Sequence, residues 1–192
     1  MKNNKQLIKF SEKYLQTLWL TDVENYYIEN RTIVVNLGND DAIIAVQPEK
    51  QLSPRTSTIL REVSIKSADS LLLLEITDKI NIGGIILEPE WHQLGEISKF
   101  PKDVPLWKSP QFDLGIVSFD PWYVTGLSNM SQNSRNRKYQ VKVNLWFAPG
   151  NSNCSIHNHH MIPEFLEVHT QIYGIGRMQK FHADNFNTLY QD

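Results

Sequence analysis

Between residues 139 and 147 apolar and polar side chains alternate. Tyr139, Val141, Val143, Leu145 and Phe147 interleave with Gln140, Lys142, Asn144 and Trp146. Period two is the strand period, so this stretch predicts a β-strand, closed by Pro149-Gly150. Ile59–Ile65 alternates in the same way, and Leu71–Ile76 is a fully apolar, strand-sized run. Ile80–Leu87 is another such run, interrupted by Gly83-Gly84. Thr32–Asn36 and Ala42–Val46 flank Leu37-Gly38-Asn39-Asp40-Asp41, a turn-rich spacer that predicts a hairpin. Ile116–Phe119 predicts a short strand ended by Asp120-Pro121, and further strands are expected near 155–160, 167–173 and 177–181. Residues 2–20 show another period. Leu7, Phe10, Tyr14 and Leu18 form one stripe, with Lys5, Lys9, Glu12 and Lys13 mostly off it, which predicts a helix capped by Asn3 or Asn4. Its polar face is not strongly basic, so it is expected to pack on a sheet edge rather than anchor to a membrane. Pro89, Pro101, Pro105 and Pro110 mark residues 88–112 as a loop-rich connection, and 126–138 reads as a polar loop. The expected fold is all-β with an N-terminal helix, divided into a helix-plus-β half at 1–111 and a β-barrel half at 112–192.

Composition narrows the function classes. Of 192 residues, 41% are hydrophobic and 21% charged, which suits a globular chain with a real core and not a disordered one. The formal charge of -2 leaves no basic surplus for neutralising phosphates, so no nucleic-acid partner is expected. Arg135, Arg137 and Lys138 form the one dense positive patch, expected to be a solvated loop before a strand. Cys154 is the sole cysteine, which rules out an intrachain disulfide and points to the cytoplasm. The N-terminus lacks a signal peptide's apolar core, and no apolar run approaches the roughly 20 residues that span a bilayer, so no membrane partner is expected.

The histidines carry the candidate chemistry. Four of the six, His157, His159, His160 and His169, lie within 13 residues. On a strand, His157 and His159 would project two imidazoles from one face, close enough to share an ion. Glu167, His169, Gln171 and Tyr173 would line one face of the next strand, opposite Leu166, Val168, Thr170 and Ile172. Such a polar face either meets solvent or lines the cavity of a small barrel, and its pairing with the histidine strand favours the cavity.

Gly150, His157-Asn158-His159, Glu167, Gly174 and Gly176-Arg177-Met178 together resemble the first conserved motif of the cupin superfamily. The glutamate-to-glycine interval fits. Seven residues separate His159 from Glu167, more than is usual in the family. Glu164 would shorten that interval but misses the glycine and adjoins Pro163, so Glu167 is the preferred carboxylate and Glu164 the reserve. The resemblance implies a cupin-like jelly roll and a divalent metal held by His157, His159 and Glu167. Two histidines and a carboxylate suit Fe and would also accept Mn, Ni, Co or Zn. The family's second motif would add a further histidine, and it is not found before Asp192, so the chain is expected to be a truncated version of a longer protein. An unfinished barrel edge would invite pairing into a homodimer.

The expected function is a metal-dependent cupin-like enzyme acting on a small molecule, of oxygenase, isomerase or lyase type. His169 or Tyr173 would handle protons and Gln171 would contact substrate. The alternative is a non-enzymatic cupin module that binds or senses a small molecule. His182-Ala183-Asp184 also matches the His-x-Asp pair of 2-oxoglutarate/Fe(II) oxygenases, but the neighbouring Asn185 and Asn187 favour a loop there. Cys154 is expected to be a small core residue rather than a nucleophile.

Overall fold

The computed structural model describes residues 2–156 and 166–191. It is mostly β, with antiparallel sheets and no closed barrel among the described residues. The strands run β1 (Asn4–Leu7), β2 (Leu15–Ile28), β3 (Thr32–Asn36), β4 (Ala42–Ile44), β5 (Lys50–Leu52), β6 (Ser57–Leu60) and β7 (Val63–Ile76). Then come β8 (His92–Gln93), the single-turn helix α1 (Leu94–Ile97), β9 (Trp107–Lys108) and β10 (Phe112–Phe119). The turn α2 (Pro121–Val124), β11 (Arg137–Val143), β12 (Trp146–Phe147), β13 (Lys180–Phe181) and β14 (Leu189–Gln191) complete the order.

The first seven strands form one sheet around β7. The 14-residue strands β2 and β7 pair antiparallel from Leu15 opposite Ile76 to Ile28 opposite Val63. On its other side β7 offers two pairing stations, Leu71–Leu74 for β3 and Ile65–Ser67 for β4. Leu71, Leu72, Leu73 and Leu74 are all buried because both sheet faces are covered. Leu72 and Leu74 share one core with Ile33, Val35, Phe10, Leu15, Ile85 and Trp91. Leu71 and Leu73 share the other with Leu20, Val34, Ala42, Ile44 and Ile65. Leu114 and Leu145 reach the first core from the C-terminal half, so residues beyond 77 cover that face.

Residues 2–20 form no helix. The stripe from Leu7 to Leu18 is broken by a turn in which Ser11 Oγ accepts the N–H groups of Lys13 and Tyr14. Beyond it the β-branched and aromatic residues of β2 alternate against β7. Cross-strand burial there outweighs helical spacing, since propensity is a weak prior. The expected β3–β4 hairpin is also absent. Asn36, with no exposed surface, donates its amide to the carbonyls of Asp40 and Leu52 (2.8 Å each) and accepts from Gly38 N–H. That network redirects the chain, so β3 pairs with β6 and β7 while β4 pairs with β5 and β7. Ile82–Leu87 is a 3₁₀ turn rather than a strand. A side chain at Gly84 would strike the Tyr14 ring, so the glycine is what lets the turn close against it. The alternation at 139–147 splits into β11 and β12 at Asn144-Leu145, where Leu145 N–H donates to Ser109 Oγ (2.8 Å) and β12 pairs with β9.

The connection from β10 to β11 is pinned by Asp120, whose side chain has no exposed surface. Its carboxylate accepts from the N–H groups of Trp122 and Gln132 (3.1 and 3.0 Å) and from Arg135 Nε (2.9 Å). Desolvation pushes the Asp120 carboxyl up, but the Gln132 N–H and the Arg135 guanidinium together hold it below the usual carboxylate range.

Three expectations follow. Leu71→Ala, which opens a cavity between β7 and the second core, lowers unfolding stability by about 2–5 kcal/mol in urea titration. Thr17 is fully buried and its Oγ1 has no hydrogen-bond partner, so Thr17→Val raises stability by about 1 kcal/mol in the same assay. A depressed folded-state pKa stabilises above the unfolded value of about 3.9, and that contribution is lost as pH falls through the folded value. Asp120→Asn therefore destabilises at neutral pH and flattens the loss of stability below about pH 4, read from unfolding midpoints across pH.

Candidate functional site

Residues 166–173 form no regular element and pair with no strand, so the predicted strand at 167–173 is not formed. The alternation it implied survives in part. Thr170 Oγ1 lies 3.3 Å from Ser57 Oγ on edge strand β6, and Ile172 packs against the first core. Glu167, His169, Gln171 and Tyr173 are exposed on the other parity. These polar side chains meet solvent, and the described residues do not wrap them in a cavity.

Within this segment one pair comes together. Glu167 Oε2 and His169 Nε2 are 3.3 Å apart, both accessible. A carboxylate beside an imidazole can share a cation with it or orient its ring. Gln171 instead turns back on its own chain, its amide donating to the Tyr173 carbonyl and lying over Gly176. Gly174 takes φ +71°, the left-handed conformation that suits glycine, in a bend at 173–174. In this arrangement the Gln171 amide nitrogen is engaged by the bend.

His157, His159, His160 and Glu164 lie outside the described residues, as does most of the strand expected at 155–160. Among the described residues no group of three or more His, Cys, Asp or Glu is placed to hold a metal ion. Glu167 and His169 are the part of the expected constellation that the structure brings together. Elsewhere, His182 stacks on Tyr190 (4.3 Å between centroids) and its N–H donates to the Thr188 carbonyl. His182-Ala183-Asp184 thus follows β13 as a bend, in line with its reading as a loop. Cys154 is half-buried, and desolvation raises its thiol pKa, which suppresses the thiolate a nucleophile needs. His92 is exposed on β8.

Sequence reasoning missed one feature. An open groove of about 600 Å³ is lined by Asp22, Glu24, Asp40, Asp41 and Asp69 from β2, the β3–β4 turn and β7, with Lys2 paired to Glu24. These carboxylates are scattered along the sequence and are gathered only by strand pairing. No helix among the described residues is long and apolar enough to cross a membrane. No family model, curated protein or solved structure matches the chain.

Proposed function

We propose that the chain is a metal-dependent, cupin-like protein acting on a small molecule in the cytoplasm, with a jelly-roll architecture in its C-terminal half. The observation that supports this reading is the exposed Glu167–His169 pair, in a segment anchored through Thr170 and Ile172. The donor set fits a divalent ion, with one carboxylate and neighbouring imidazoles of intermediate softness. His157, His159 and Glu167 would hold it, with Fe, Mn, Ni, Co and Zn all compatible. A bound divalent ion supplies Lewis acidity or a site for dioxygen, which suits an oxygenase, isomerase or lyase. His169 orients Glu167, and its Nε2 can exchange a proton with a substrate. Tyr173, exposed in the same segment, can donate a hydrogen bond to a substrate oxygen.

The exposure of Glu167, His169 and Tyr173 favours a second reading, a non-enzymatic module that binds or senses a small molecule, its metal structural or absent. Reactions that need water excluded are poorly served by an open site. Metal analysis and calorimetric titration separate the two readings. On the first, the purified chain carries a stoichiometric divalent metal, Glu167→Gln removes it, and His169→Ala weakens its binding about tenfold to hundredfold. Absence of stoichiometric metal, with folding unchanged in His157→Ala, would sink the metal reading and leave the binding module.

A further inference from the structure

The connection between β10 and β11 carries a surface that the metal reading does not use. Trp122, Tyr123, Val124, Leu127 and Met130 are all exposed within nine residues, Leu127 at 78% and Met130 at 72%. They sit at the tip of a hairpin and are not scattered singly, as ordinary surface apolar residues are. The charge around them is one-sided. From Pro121 to Pro163 the chain has no Asp or Glu, while Arg135, Arg137 and Lys138 lie in or beside the tip. The nearest carboxylate before it, Asp120, is buried and spent on Arg135 (2.6 Å).

We infer that this hairpin tip docks the protein onto an anionic lipid surface. Three features favour lipid. The apolar side chains are large and include Trp and Tyr, which partition to the headgroup level. The basic side chains flank them, with the Arg137 guanidinium 5.6 Å from the Trp122 ring, so charge meets headgroups where the ring enters the interface. Several N–H groups of the turn are already bonded within it. Trp122 and Tyr123 N–H donate to the Asp120 carboxylate, Val124 N–H to its carbonyl, Thr125 N–H to Pro121 and Gly126 N–H to Tyr123. Arg135 further ties the Met130 carbonyl (2.7 Å) and Ser128 Oγ (2.9 Å). A loop that bonds its own N–H groups has fewer of them to desolvate at an apolar interface. The expectation of no membrane partner rested on run length and on residues 2–20, and neither argument reaches a hairpin tip.

Co-sedimentation of the full chain with phosphatidylcholine vesicles, with and without phosphatidylserine, tests this inference independently of any metal. The chain pellets with the phosphatidylserine vesicles at low salt and is released as salt rises. Arg137→Gln combined with Lys138→Gln weakens partition about thirtyfold, from about one kcal/mol per basic residue. Trp122→Ser combined with Leu127→Ser abolishes it, with thermal unfolding confirming that each variant is folded. Wild-type chain that stays in the supernatant with anionic vesicles overturns the inference and leaves an acidic protein as the partner for the tip. Equal pelleting by wild type and both double variants overturns it as well.

Discussion

The four consecutive leucines of β7 are the constraint on which the rest of the molecule depends. Leu71 and Leu73 point to one face and Leu72 and Leu74 to the other, and none reaches solvent. Full burial of such side chains is worth about 1.5–3 kcal/mol each, so leaving either face open would forfeit much of a small domain's stability. Both faces must therefore be covered. One face is closed by Leu20, Ala42, Ile44 and Ile65 from the same sheet. The other is covered by chain from Ile85 onward, with Trp91 locked in place by its indole N–H on the Phe10 carbonyl (2.7 Å). The C-terminal half is thereby held against the sheet, and the candidate site inherits its position through Ile172 in that same core.

Local pattern was legible where a single element decides its own burial. The bounds of β3 and the alternation of β11 could be read directly, and the apolar run at Leu71–Ile76 is the far end of β7. It failed where a polar group redirects the chain. Ser11 interrupts a stripe that otherwise mimics a helix, and the Asn36 amide turns an apparent hairpin into two separate pairings. Neither side chain signals its role by spacing, because each acts through carbonyls or N–H groups that only the fold supplies. The glycine pair at 83–84 failed for a related reason. Its value lies in the space Tyr14 needs, and Tyr14 is distant in sequence.

The candidate site divides in the same way. Parity alone placed Glu167 and His169 on a common side, and they do come within 3.3 Å. Pairing with a neighbouring strand was the longer-range inference, and the described residues do not carry it. Gln171 shows why side-chain chemistry cannot be read from parity. It shares the parity of Glu167 and His169, yet its amide donates to the Tyr173 carbonyl before any substrate is considered.

Charge distribution ties the two proposals together. A net charge of -2 conceals strong segregation, with carboxylates gathered at the β2–β7 groove and none between Pro121 and Pro163. Averaged over the chain, that contrast vanishes, which is why composition argued against a nucleic-acid partner. The same segregation bears on the metal reading. Two neutral imidazoles leave a divalent ion's charge uncompensated, and the 43 residues from Pro121 to Pro163 contain no carboxylate to offset it. The nearest candidates in sequence begin at Glu164 and Glu167, directly after that stretch ends. A cation held by His157 and His159 must therefore draw its anionic ligand from the segment that carries Glu167 or from a distant part of the fold. Of these, Glu167 has the partner, His169, that such a ligand needs to stay oriented.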